Sequence, residues 1–113
     1  MIQLDYKKDN ELFNKTAQYW AEKIERTKKT QVRNFYDKVL ELYERSKSED
    51  WEDIEPFVKM LNSKVAYGVS RKVVSQEFQQ MMQECINQVN NPEKLKIFKL
   101  FFEAVIGFYK GRD

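Results

Sequence analysis

The chain has 113 residues with 20 Lys and Arg against 18 Asp and Glu, a formal net charge of +2; that length suits one domain with a sizeable core and falls short of two. Hydrophobic residues make up 42%, with 8 Phe, 6 Tyr and 2 Trp. This excludes a disordered chain, while 34% charged residues and a mean hydropathy of −0.76 predict an ionic surface and a soluble protein.

Taken in chain order, Phe13, Ala17, Trp20 and Ile24 recur every three to four residues, which predicts a helix over about 9–27 with Asp9 at its start. Thr30 then reads as the cap of a second helix, because its hydroxyl can accept from a free N–H of the first turn. Val32, Phe35, Tyr36, Val39, Leu42 and Tyr43 form that helix's broad apolar face, to about residue 46. The stretch RSKSEDWEDIEP follows as a polar connection in which Trp51 anchors the chain to the bundle. Pro56 is expected in the first turn of a third helix over about 54–73, where its missing N–H costs nothing.

Ile54, Val58, Leu61, Val65 and Val69 supply the buried stripe of that helix, and Gly68 on its flank admits a close neighbouring backbone. Ser75 opens a fourth helix, with Phe78, Met82, Cys85, Ile86 and Val89 facing inward. Asn91 as cap, Pro92 at the first helical position and Glu93 in the first turn start a fifth. It runs over about 92–110 and ends at Gly111. Its apolar residues, Leu95, Phe98, Phe101, Phe102, Val105, Ile106 and Tyr109, cover more than one stripe, so it should lie centrally or be partly covered by another chain. The expected fold is all-α: a single domain over 1–113, a bundle of about five helices.

Function classes narrow next. Histidine is absent and Cys85 is the one cysteine, so the commonest general base, the commonest zinc ligand and any intramolecular disulfide are missing together. Cys85 reads as a buried small hydrophobe. Apolar runs are too short to span a bilayer and Met1 is not followed by a signal-peptide pattern, so a cytoplasmic protein without membrane contact is expected. An enzyme is disfavoured, and neither a cofactor nor a metal is expected. The acids Glu49, Asp50, Glu52, Asp53 and Glu55 resemble a Mg²⁺ cluster in composition only, and a solvated linker favoured by the following helix dipole fits them better.

The basic residues are segregated from the acids: residues 56–76 hold Lys59, Lys64, Arg71 and Lys72 with no acid. Lys64, Tyr67 and Arg71, spaced by three and four, project from one face of the third helix, away from its buried stripe. Lys64 and Arg71 lie about 10 Å apart along the axis, so each can meet a different phosphate of an extended strand while Tyr67 stacks on a base or ribose. At the start of the second helix, Lys28, Lys29 and Arg33 place cations where the helix dipole prefers an anion. A solvated charged face is the commoner account of any one of these lysines and an even alternative for Arg33 and the Lys64/Tyr67/Arg71 ridge together, and a half-buried core position accounts equally for Tyr67.

Three segments, TQVRNFYDKV, LNSKVAYGVSR and FKLFFEAVIGFYKG, resemble the signature elements of the small helical subunit of type III-A CRISPR effector complexes, the Csm assembly. A Thr-x-x-Arg-x-x-Tyr/Phe element is matched by Thr30, Arg33 and Tyr36. A Lys-x-x-Tyr-x-x-x-Arg element is matched by Lys64, Tyr67 and Arg71, and an aromatic-Glu-Ala-hydrophobic element by Phe102, Glu103, Ala104 and Val105. The resemblance covers most of residues 30–110 and leaves 1–27 outside it. It implies a subunit that stacks in several copies along the channel of guide RNA and target RNA, beside other subunits that do the cutting.

The expectation is thus a non-catalytic RNA-binding and scaffolding subunit. Arg33, Lys64 and Arg71 would contact phosphates from one exterior strip, helped by Lys28, Lys29, Lys38, Lys72 and Tyr67. Glu103, an acid among aromatics, is expected in an ion pair with Arg33 or Arg71. The rival expectation is a helical protein–protein adaptor or homodimer whose basic ridge is merely solvated.

Overall fold

The computed structural model describes residues 1–111. Five helices, α1 (Lys15–Lys23), α2 (Lys29–Ser46), α3 (Trp51–Ser70), α4 (Gln76–Ile86) and α5 (Pro92–Phe108), make an all-α bundle. Each helix packs against two neighbours in the order α1, α5, α2, α3, α4 and back to α1, which closes the bundle into a ring. Inside it Phe78 of α4 meets Phe35 of α2 at 5.6 Å between ring centroids and Phe102 of α5 at 6.1 Å. α5 lies against both α1 and α2 and buries Leu95, Ile97, Phe98, Phe101, Phe102 and Val105, as its broad apolar surface required.

The first helix is shorter than its periodicity suggests. Asp9 does not cap it: its carboxylate accepts from Glu11 N at 2.9 Å and from Thr16 Oγ1 at 2.8 Å, holding residues 9–14 in turns. An Asp side chain that bonds nearby backbone competes with the helical ladder in this way. The segment before it, without helical periodicity, nonetheless fills the core with Ile2, Leu4 and Leu12. Gln88 clamps it, donating to the Ile2 carbonyl and accepting from Leu4 N.

Other boundaries moved for local reasons. The cap of α2 is Lys28, not Thr30, and no side chain bonds its first turn. The third helix begins at Trp51, so Glu52 and Asp53 fill its first turn and Pro56 sits inside it rather than at its start. The acids therefore belong largely to the helix, where the N-terminal dipole favours them. Gly68 is buried, and its close neighbour is the Val74 side chain rather than a backbone. The fifth helix stops at Phe108, before Gly111, because Tyr109 is extended. Ser75 and Asn91 cap α4 and α5 as expected, accepting from Phe78 N at 3.1 Å and Lys94 N at 2.8 Å.

Candidate nucleic-acid interface

The inward face of α3 is fixed by Ile54, Val58, Leu61, Val65 and Gly68. A helix advances about 100° per residue, so Phe57, Met60, Lys64, Tyr67 and Arg71 fall together on one flank of that stripe. Tyr67 is 63% exposed, which removes the half-buried reading. The Arg71 guanidinium lies 5.5 Å from the Tyr67 ring centroid, so cation and ring form one pre-set unit.

Across from this flank stands α2. Lys38 and Arg45, two helical turns apart, line a groove of about 130 Å³ with Glu41 between them and Phe57, Met60 and Lys64 of α3 opposite. Arg45 is already engaged: it pairs with Glu49 at 3.0 Å and lies over the Phe57 ring at 5.5 Å. Lys38 and Lys64 are not. Among the described residues the ion pairs are Arg45–Glu49, Lys47–Glu44 and Lys99–Glu103, and none of Lys28, Lys29, Arg33, Lys38, Lys64, Arg71 or Lys72 takes part.

Arg33 does not share the strip expected of it. With Lys29 it lines a separate groove against Ile106 and Tyr109, on the α5 side of α2, whereas Lys38 faces α3. The reason is the 3.6-residue period, which turns positions 33 and 38 to opposite flanks of the Val32/Phe35/Val39/Leu42 face. Lys28 and Lys72 are exposed at the end of the bundle where α1 and α3 finish; there the Lys28 amide reaches the Val73 carbonyl at 3.4 Å. Lys72 has φ of 63°, the left-handed conformation that ends α3, and lines a third groove with Arg26 and Glu77.

Glu103 pairs with neither arginine. Its carboxylate accepts from Tyr36 Oη at 2.9 Å and meets Lys99 Nζ at 3.2 Å. Lys99 is one turn away on its own helix, so the ion pair is local and the phenol supplies the long-range link. Burial pushes the Tyr36 phenol up to about 12, and the Glu103 carboxylate adds to this. The Tyr36 and Lys99 hydrogen bonds hold Glu103 below the usual carboxylate range. Tyr36 also packs edge-on against Phe102, centroids 5.6 Å apart, so this contact joins α2 to α5 and leaves Arg33 and Arg71 without a carboxylate.

Four groove residues escaped the sequence reading: Glu41, Arg45, Phe57 and Met60. Their signal was present, since 38, 41 and 45 share a flank of α2, and 57, 60 and 64 share one of α3. Cys85 is buried, as expected, and burial raises its thiol well above the ordinary value. Among the described residues, no group of three or more Cys, Asp or Glu side chains is placed to hold a metal ion, and no helix is long and apolar enough to cross a membrane.

Fold and surface together define a small all-helical subunit type with unpaired cations and an exposed tyrosine on one helical flank. The chain belongs to the Csm2 Type III-A family, whose model matches residues 7–112. It is therefore a small subunit of a type III-A CRISPR complex. The match takes in most of residues 1–27, which the motif resemblance had left out. No curated protein and no solved structure matches the chain.

Proposed function

We propose that this chain is a non-catalytic subunit that holds the backbone of guide RNA and target RNA and scaffolds the complex through several stacked copies in the cytoplasm. One observation carries the reading. Lys64, Tyr67 and Arg71 share an exposed flank of α3, with Arg71 over the ring and Lys38 across the groove; Glu41 also lines that groove, yet none of the three cations is held in an ion pair among the described residues. Cations without internal partners are free to displace the counterions of a phosphate chain.

Lys29 and Arg33 form a second basic edge on the α5 side, and Lys28 and Lys72 a third at the bundle end. Such contacts position a strand without reading its bases, as suits a complex in which guide–target pairing supplies the sequence information. Purification of the assembled complex with mass analysis and nucleic-acid detection tests partner class and copy number together. RNA retained with several copies of this chain supports the proposal; a complex whose RNA content does not depend on this subunit contradicts it.

A specific observation favours a second reading, the protein adaptor. Phe57 and Met60, 45% and 44% exposed, occupy the N-terminal half of the same flank, and exposed apolar side chains in one place mark interaction surfaces. Phe57→Ala with Met60→Ala separates the two. Loss of the chain from the complex assigns that half to protein contact, whereas full incorporation with weakened RNA binding assigns it to RNA.

A further inference from the structure

The first helix bears a second ridge with the make-up of the one on α3. Lys15, Tyr19 and Lys23 recur every four residues, so they rise along one side of α1, the two lysines about 12 Å apart along the axis and the phenol midway. Tyr19 is 54% exposed. Its ring is nonetheless fixed: it meets the buried Trp20 edge-on at 5.7 Å between centroids. Lys23 Nζ lies 5.3 Å from the Tyr19 centroid and 4.9 Å from that of Trp20.

Lys15, Tyr19 and Lys23 line a groove of about 330 Å³ with Gln80 of α4, and no carboxylate lines it. The nearby Glu84 is occupied, accepting from Ile2 N at 2.7 Å and Gln80 Nε2 at 3.0 Å. Glu22, on the same helix, takes part in none of the ion pairs among the described residues and lies outside the groove lining. A rigid exposed ring between two unpaired ammonium groups suits a polymer that alternates flat π faces with negative charge. An acidic peptide would satisfy the lysines but gives the ring no flat partner.

The geometry points to a second nucleic-acid site on α1, where a single strand of RNA lies along the helix with one base on Tyr19 and flanking phosphates against Lys15 and Lys23. This rests on the reading of the chain as an RNA-binding subunit but not on the α3 flank. The two surfaces are separate, since α1 packs between α5 and α4 while the α3 flank faces α2.

The test is photo-crosslinking in the complex reconstituted on RNA substituted with 4-thiouridine, followed by peptide mapping. RNA adducts are expected on the peptide that contains Tyr19. In the same complex, Tyr19→Ala should weaken single-strand binding about tenfold and Tyr19→Phe should restore it, while Lys15→Ala and Lys23→Ala should each flatten the salt slope by about 0.7. Adducts on the Lys64–Arg71 peptide alone, with Tyr19→Ala silent, overturn this proposal and leave the α3 reading standing. Adducts at α1 alone uphold the second site and remove the first, and adducts at neither overturn both.

Discussion

The Thr27 hydroxyl accepts from the Ser75 amide at 2.9 Å and shares a hydrogen bond of 2.9 Å with Ser75 Oγ, tying the turn after α1 to the start of α4. Thr27 is fully buried, so Thr27→Val leaves the Ser75 amide without that acceptor. The expected cost is about 1–3 kcal/mol, read as a lower urea midpoint at unchanged slope. Tyr36 and Glu103 carry the second residue-scale prediction. The Tyr36 phenol, raised to about 12, contributes stability that is present below pH 10 and lost as pH rises through 12. Glu103 runs the other way: held low, it contributes above the ordinary carboxylate range and loses this as pH falls through its depressed value. Ultraviolet titration should show a late-ionising component that shrinks in Tyr36→Phe and ionises earlier in Glu103→Gln. Neither the Thr27 nor the Tyr36 contact was legible from periodicity, because each joins residues dozens of positions apart through one polar atom. The Tyr36–Glu103 contact does join two of the three motif segments.

On the scale of elements, hydrophobic spacing located all five helices, and the side-chain caps at Ser75 and Asn91 set two starts correctly. It misplaced the others where local chemistry outweighed spacing, as at Asp9, whose carboxylate holds turns, and at Pro56. That proline is exposed inside α3, where it removes a bond to the Glu52 carbonyl and crowds it. Pro56→Ala should therefore stabilise the protein, by up to about 3 kcal/mol, seen as a higher Tm. Gly68→Ala should do the opposite. A Cβ there meets Val74 Cγ2 at 2.6 Å and Cβ at 3.2 Å. Val74 cannot retreat freely, since its amide and that of Val73 bond the Gly68 carbonyl at 3.3 and 3.1 Å. Overpacking of about 1–3 kcal/mol exceeds the helix propensity gained, about 1 kcal/mol. Thermal unfolding should show a lowered Tm, recovered when Val74→Ala is added.

At the level of the whole molecule, the ring of helices decides which cations can act together. The basic-aromatic unit within α3 was readable because three residues on one helix need only the helical period. The link between α3 and Lys38 needed the packing of α2, and the separation of Arg33 from it needed the position of α5. Sequence therefore named the charged residues but could not divide them among surfaces. The central claim is that the α3 flank meets phosphates, and the salt dependence of RNA binding by the assembled complex tests it most directly. Lys64→Ala with Arg71→Ala should weaken binding and flatten the slope of log K against log salt by about 1.4 on a single strand. Affinity and slope both unchanged would contradict the account.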